Sequence, residues 1–326
     1  MFEKDLEYPI PLLQHEAFKG RLPENHEILP EIDEKIRILA SGYKGERTLN
    51  YYLSLIPDKK YHIFHGLRLP IGKSYFEIDA LLISPYLNLI LESKNHSGTL
   101  TIEKHQMIQE LPDFTNIYSN PLSQAIRHKI LLHYFFEKYQ IPIIPIEYLV
   151  VFTKATSVVK ITPGYIEAER KICKAEDLIK KITEFEKVYT KERLDQKMIG
   201  KMKRLLLSKH TPLRIDLLKT YRFNKCGILP GVRCPKCLFF PMKLRRKKWE
   251  CSRCHFTSND AYIPAVQDYF LIIDTSINNK ELCWFLQLPS PRHATYLFSL
   301  MNLPHSSANK NRTYFIPFSS IHVFPK

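Results

Sequence analysis

The sequence predicts a mixed α/β domain, followed by a small metal-stapled hairpin module and a helical tail. Two observations carry this. A helix-period stretch leads into three β-like apolar runs, a second helix and a buried strand. Further on, two C-x-x-C pairs stand 13 residues apart, ahead of three short helix-sized segments. The chain has 326 residues, 44% hydrophobic and 25% charged, which excludes a mostly disordered protein and fits two or three domains.

The elements follow in order. At positions 31–56, Ile32, Ile36, Ile38, Leu39, Tyr43, Leu49, Tyr52 and Leu55 suit one helix. Residues 61–67, 75–83 and 87–94 read as strands, and 99–102 is expected to continue their sheet. Between the second and third runs lies Ser84-Pro85-Tyr86-Leu87, with Pro85 suited to the second position of a tight turn. Asn120-Pro121 is an N-cap followed by proline at the first helical position, opening a helix to about residue 139. Residues 147–153 (EYLVVFT) form a buried strand, and weaker helical patterns cover 175–185 and 191–209. Residues 1–30 are proline-rich and show no clear period. The expected boundaries are an extension over 1–40, an α/β domain over 41–155, a helical linker over 156–225, the hairpin module over 226–262 and the tail over 263–326.

Charge is unevenly spread. Residues 1–200 hold 27 basic and 27 acidic side chains, whereas residues 201–260 hold 16 and 3. Most of the formal +15 therefore sits in one basic segment, the electrostatic footprint of a polyanion binder. No apolar stretch reaches the roughly 20 residues of a spanning helix. The N-terminus has no apolar core of signal-peptide length, so the expectation is a cytoplasmic protein without membrane contact.

Charges also interrupt two apolar strands, YFEIDALLI over 75–83 and NLILESK over 88–94. Strict alternation puts Glu77 and Asp79 on one face, and Glu92 and Lys94 on one face. A hairpin closing at Pro85 pairs residues whose numbers sum to 171, setting Asp79 opposite Glu92 and Glu77 opposite Lys94. Like charges facing each other across a ladder are destabilising, and a hard divalent cation between Asp79 and Glu92 offsets that cost. Lys94 can then orient an attacking water and balance charge growing on a phosphate. The bare pattern also fits a solvated hairpin with Glu/Lys pairs on its wet face.

In sequence order, Gly45-Glu46, Glu77-Ile78-Asp79, Glu92-Ser93-Lys94, Ser97-Gly98-Thr99 and Asn120-Pro121 with Gln124 resemble the nuclease-related domain, NERD, of the PD-(D/E)XK nuclease superfamily. The resemblance runs from Gly42 to Thr153. It implies an αβββαβ core and Mg²⁺- or Mn²⁺-dependent cleavage of phosphodiester bonds. By the same resemblance Asp79 and Glu92 are metal ligands and Lys94 is the catalytic lysine. Glu46 approaches the metal directly or through water, and Gln124 contacts the metal's water or a backbone phosphate. Ile78 stands where the superfamily often has proline. His62 and His65, on the adjoining strand, are read as structural.

Cys234-Pro-Lys-Cys237 and Cys251-Ser-Arg-Cys254 have the spacing of a zinc ribbon, a closed and therefore structural Zn²⁺ site. Between the pairs, Lys243, Arg245, Arg246, Lys247, Lys248 and Trp249 combine phosphate-binding cations with a ring able to stack on a base. The tail looks like a winged helix. Its helices are expected over 265–273 and 279–286 and from Pro291 to about 301, Ser290 capping the last, with a wing strand over 311–317 and Arg292 exposed on the third helix.

The overall expectation is a PD-(D/E)XK nuclease-like core with a zinc ribbon and a winged-helix-like tail, cutting DNA that the ribbon and tail hold. RNA is left open as a substrate. The alternatives are an inactive DNA-binding adaptor, or a regulator that binds protein through the ribbon and tail.

Overall fold

The computed structural model describes residues 1–306 and 312–316. They form two compact units, one of Met1–Pro9 with Ile38–Leu213, the other of Ile10–Arg37 with Arg214 onward. The expected extension over 1–40 thus divides between both units, and the expected linker over 156–225 divides at residue 213.

The chain opens with strand β1 (Phe2–Lys4), helix α1 (Ile10–Gly20) and the long helix α2 (Leu29–Ser54). Pro11 and two buried polar residues of α1, Gln14 and His15, hide its period. Gln14 is buried because its side chain binds Ile215 O and Leu271 O and accepts from Ile215 N. Strands β2 (His62–Ile71), β3 (Ser74–Ile83) and β4 (Asn88–Lys94) follow, then β5 (Thr99–Ile102), β6 (Gln106–Glu110) and β7 (Thr115–Ser119). Helix α3 (Pro121–Lys138), β8 (Ile146–Phe152), β9 (Val158–Ile161), α4 (Ile166–Lys171), β10 (Ile172–Lys174), α5 (Leu178–Val188) and α6 (Gln196–Lys209) complete the first unit. Elements α2, β2–β4, α3 and β8 keep the αβββαβ order, with β5–β7 inserted.

The main sheet runs β1-β2-β3-β4-β8-β10. The hairpin β3–β4 has the expected register, Ile83↔Asn88 through Ala80↔Leu91. Its turn is held by Ser84, whose amide donates to Leu87 O and whose Oγ accepts from Tyr86 N and Leu87 N. Strands β4 and β8 pair in parallel and are covered on both faces, which explains their unbroken apolar runs. On one face Ile90, Val150 and Phe152 pack with Leu132 and Phe135 of α3 and Met202 of α6. On the other, Leu89, Leu91 and Val151 pack with Leu49 and Leu53 of α2 and Ile182 of α5. The run over 99–102 departs from expectation: β5 belongs to a second sheet, β7-β6-β5-β9.

The second unit continues with α7 (Leu217–Thr220), the three-stranded sheet β11 (Lys243–Arg245), β12 (Lys248–Glu250) and β13 (Thr257–Ser258), then α8 (Tyr262–Ile272), β14 (Ser276–Asn278), α9 (Asn279–Leu286), α10 (Pro291–Met301) and β15 (Thr313–Phe315). The three tail helices fall where the sequence puts them. Asn278 and Glu281 form a capping box on α9. Ser290 caps no backbone group; its Oγ meets His293 Nδ1 at 2.9 Å. Strand β15 pairs with β14, and Tyr314 stacks on Phe298 of α10. Positions 311 and 317 of the expected wing strand lie outside the described residues. No helix among the described residues is long and apolar enough to cross a membrane.

Candidate active site

The candidate site lies in the first unit, where β3, β4 and β8 run between α2 on one face and α3 on the other. Helix α2 comes very close to the strands: a Cβ added at Gly45 would sit 2.8 Å from Asn95 Cβ and 2.9 Å from Thr153 Oγ1. Only glycine permits that approach, which brings the next residue, Glu46, to the acidic cluster. Helix α3 starts at a fixed point because Asn120 Oδ1 accepts from Leu122 N at 2.7 Å while its Nδ2 donates to Glu103 O. That anchoring sets the positions of Gln124 and His128, four residues apart on one helix face.

The β3–β4 ladder stops at Ala80↔Leu91. One residue further, a side chain takes over: Ser93 N donates to Asp79 Oδ2 at 2.7 Å. Strict alternation fails here. Ile78 and Leu81 share one core, as do Phe64 and Leu67 on β2, so both strands slip by one residue around Gly66, which has φ 54°. Glu77 is exposed, while Asp79 turns inward to the end of β4.

Glu92 is 2% exposed. Its Oε1 accepts from Lys94 Nζ at 2.8 Å, and Lys94 Nζ also donates to Gln124 Oε1 at 2.9 Å. Its Oε2 lies 3.3 Å from His128 Nδ1, but neither atom has a partner in hydrogen-bond geometry. His128 is the residue that sequence reasoning missed. Its signal was the i, i+4 spacing from Gln124, visible only once the helix is phased against the sheet. Of the adjoining histidines, His62 Nδ1 meets Glu3 Oε1 at 2.8 Å, and His65 is buried with both ring nitrogens unpartnered. Burial pushes the His65 ring down to about 4.

The acids are unequal. Burial raises the Asp79 carboxyl well above its ordinary value, and the charges of Glu92 and Glu46 add to that, against Lys94 and the Ser93 amide. Burial and the charges of Glu77 and Glu92 push Glu46 up to about 7. Burial also acts upward on Glu92, yet His128 and Lys94 outweigh it and hold Glu92 below its ordinary value. A buried carboxylate oxygen without a donor, beside a carboxyl that burial and neighbouring acids raise well above its ordinary value, is a donor set that a divalent cation satisfies. Asp79, Glu92 and Glu46 do not all bring an oxygen within 4.8 Å of one another, so the arrangement suits an ion that takes one or two carboxylates.

A pH dependence follows. Glu46 titrates near 7 in the folded protein and near 4.5 unfolded, so the folded state holds a proton that the unfolded chain gives up between those values. Metal-free stability from this group therefore falls as pH rises from about 4.5 to about 7. Melting followed across that range is expected to show the fall, with Glu46→Gln flattening it. Added Mg²⁺ is expected to raise the melting temperature more at pH 8 than at pH 5. A metal-free profile that Glu46→Gln leaves unaltered contradicts the assignment.

Residues 41–153 match the family model of the nuclease-related domain. The chain carries a NERD domain. Its span coincides with α2 from Ser41 through β8, and it encloses Glu46, Asp79, Glu92, Lys94, Gln124 and His128. The PD-(D/E)XK superfamily is consistent with NERD, and the αβββαβ order of the first unit agrees with both. Searches of curated proteins and of solved structures gave no match.

Outside the NERD domain, Cys234, Cys237, Cys251 and Cys254 bring their Sγ atoms within 4.8 Å of one another, the one such group of three or more candidate ligands among the described residues. The pairs Cys234–Cys254 and Cys237–Cys251 lie 3.7 and 3.5 Å apart. A tetrahedron of Zn–S bonds near 2.3 Å has edges of about 3.8 Å, so the cluster is compatible with structural zinc. Cys226 and His255 stay outside it. The basic tip is exposed, but Trp249 is not: it is 1% exposed, inside the core of the second unit. The expected stacking role for Trp249 is therefore corrected, since a buried indole offers no face to a base. It faces inward because β12 alternates, Lys248 out and Trp249 in.

Proposed function

We propose that the protein is a Mg²⁺-dependent nuclease that hydrolyses phosphodiester bonds in DNA, with Mn²⁺ able to replace Mg²⁺. The observation that carries this reading is the buried Glu92 Oε2 without a donor, set beside Asp79 and Lys94 inside a NERD domain. Asp79 and Glu92 would hold the cation, and Glu46 would give up its proton when the cation binds. When bound, the metal makes water a stronger nucleophile and polarises the phosphoryl oxygen. Lys94 is steered by Glu92 Oε1 and Gln124 Oε1, so its ammonium has a fixed place from which to offset charge on the phosphate in the transition state. Gln124 serves first as the partner of Lys94.

In this reading residues 41–155 cut, while the ribbon over 226–262, with Zn²⁺ on its four cysteines, and the tail over 263–326 hold the substrate. The deciding assay incubates the full chain with circular, nicked, single-stranded and branched DNA, and with RNA, each with and without Mg²⁺ or Mn²⁺. Cleavage of DNA only with metal is expected, and no cleavage of any form overturns the reading. Replacing Arg245, Arg246, Lys247 and Lys248 by Gln is expected to reduce the salt dependence of DNA binding, by roughly 0.9 in log–log slope for each phosphate no longer neutralised. An unaltered slope removes the tip from the interface.

A further inference from the structure

The ribbon tip and the third tail helix share one surface of the second unit. Arg246 and Lys247 make the two-residue turn between β11 and β12, with φ of 45° and 67°. The turn itself is therefore built from two cations, and Lys243, Arg245 and Lys248 are exposed beside it. Arg245 meets Glu250 only at 3.7 Å, too far to tie the cation down. Lys247 Nζ lies over the ring of Tyr296 of α10, 5.1 Å from its centroid. Tyr296 is 40% exposed, Arg292 is exposed one turn earlier, and α10 contains no acidic residue.

We propose that this face binds an unpaired segment of nucleic acid, with phosphates on the tip cations and Arg292 and a base stacked on Tyr296. The proposal rests on the nucleic-acid reading above and adds which form of strand is held, and where. A duplex keeps the faces of its bases stacked inside and offers only edges and phosphates. An exposed aromatic ring gains a base only from a strand that is already open. The cation parked against the ring puts a phosphate site within one nucleotide of the stacking site. Tyr296 thus takes the part that Trp249, sealed in the core, cannot play.

The test is fluorescence anisotropy of the full-length, zinc-loaded chain with a labelled single-stranded oligonucleotide and with the duplex of the same sequence, without added divalent cation. Tyr296→Ala is expected to weaken single-strand binding roughly 5- to 150-fold and duplex binding less than about twofold, while Tyr296→Phe keeps the single-strand affinity. Zinc content and melting temperature equal to those of the parent chain establish that the variants fold. Unchanged single-strand affinity in Tyr296→Ala, or equal loss for both forms, overturns the proposal while leaving the nuclease reading in place. A parent chain that binds neither form overturns the nucleic-acid role of this face altogether, whereas the nuclease reading is judged separately by metal-dependent cleavage.

Discussion

Replacing Asp79 by Asn, or Glu92 by Gln, is expected to cut metal-dependent cleavage by roughly 10³-fold or more while nucleic-acid binding persists. Each tenfold in rate corresponds to about 1.4 kcal/mol, and a metal at the reacting phosphate supplies several kcal/mol. The two variants are expected to part on stability. Burial and the charges of Glu92 and Glu46 raise the Asp79 carboxyl well above its ordinary value, so a neutral amide avoids the cost of a buried negative charge and can still accept from Ser93 N. The melting temperature of Asp79→Asn without metal should stay level or rise. Glu92 is held below its ordinary carboxyl value and pairs with Lys94, so its amide leaves the Lys94 ammonium without its buried carboxylate. Glu92→Gln should melt lower. Unchanged cleavage in either variant removes the metal-ligand assignment, and a fall in melting temperature for both makes their loss of activity a folding effect.

That contrast comes from features the sequence shows only in part. The register was readable because four residues between two apolar runs, with proline second, leave one compact hairpin, and Ile83↔Asn88 through Ala80↔Leu91 obey it. The start of α3 was readable because Asn-Pro specifies a cap and a first helical residue locally. The facing of Asp79 was not. Period-two alternation assumes an unbroken ladder, and the slip around Gly66 and Asp79 is a property of two strands together. His128 was invisible for a related reason: a histidine on an amphipathic helix is ordinary until the sheet shows which carboxylate it faces. The second sheet escaped notice because β6 and β7, which pair next to β5, are short and mostly polar, and β5's other partner, β9, lies well beyond it in sequence. Trp249 was misjudged because its neighbours are charged; local charge says little about a side chain whose strand has one wet face.

The four cysteines carry the largest expected effect on folding. Cys234 and Cys251 are fully buried and belong to the same core cluster as Trp249, Phe270 and Phe285. The knuckles also match each other. Leu238 and His255, the residues after Cys237 and Cys254, both have positive φ, and their amides donate back to Cys234 O and Cys251 O. Two such turns hold four sulfurs close together, with pairs at 3.7 and 3.5 Å, and four ionised thiolates could share that space only around a cation. Structural zinc contributes on the order of 10 kcal/mol to such sites, comparable to the whole stability of a domain. Cys251→Ser is therefore expected to lower bound zinc from one per chain to none and to expose the second unit to proteolysis, because the core that the metal closes is the core of that unit. Cys226→Ser is expected to leave zinc and protease resistance unchanged, since Cys226 is exposed and outside the cluster. Metal analysis of the purified chain decides the point directly: no zinc in a protein with all cysteines reduced, or full protease resistance in Cys251→Ser, makes the cluster a thiol core instead of a metal site.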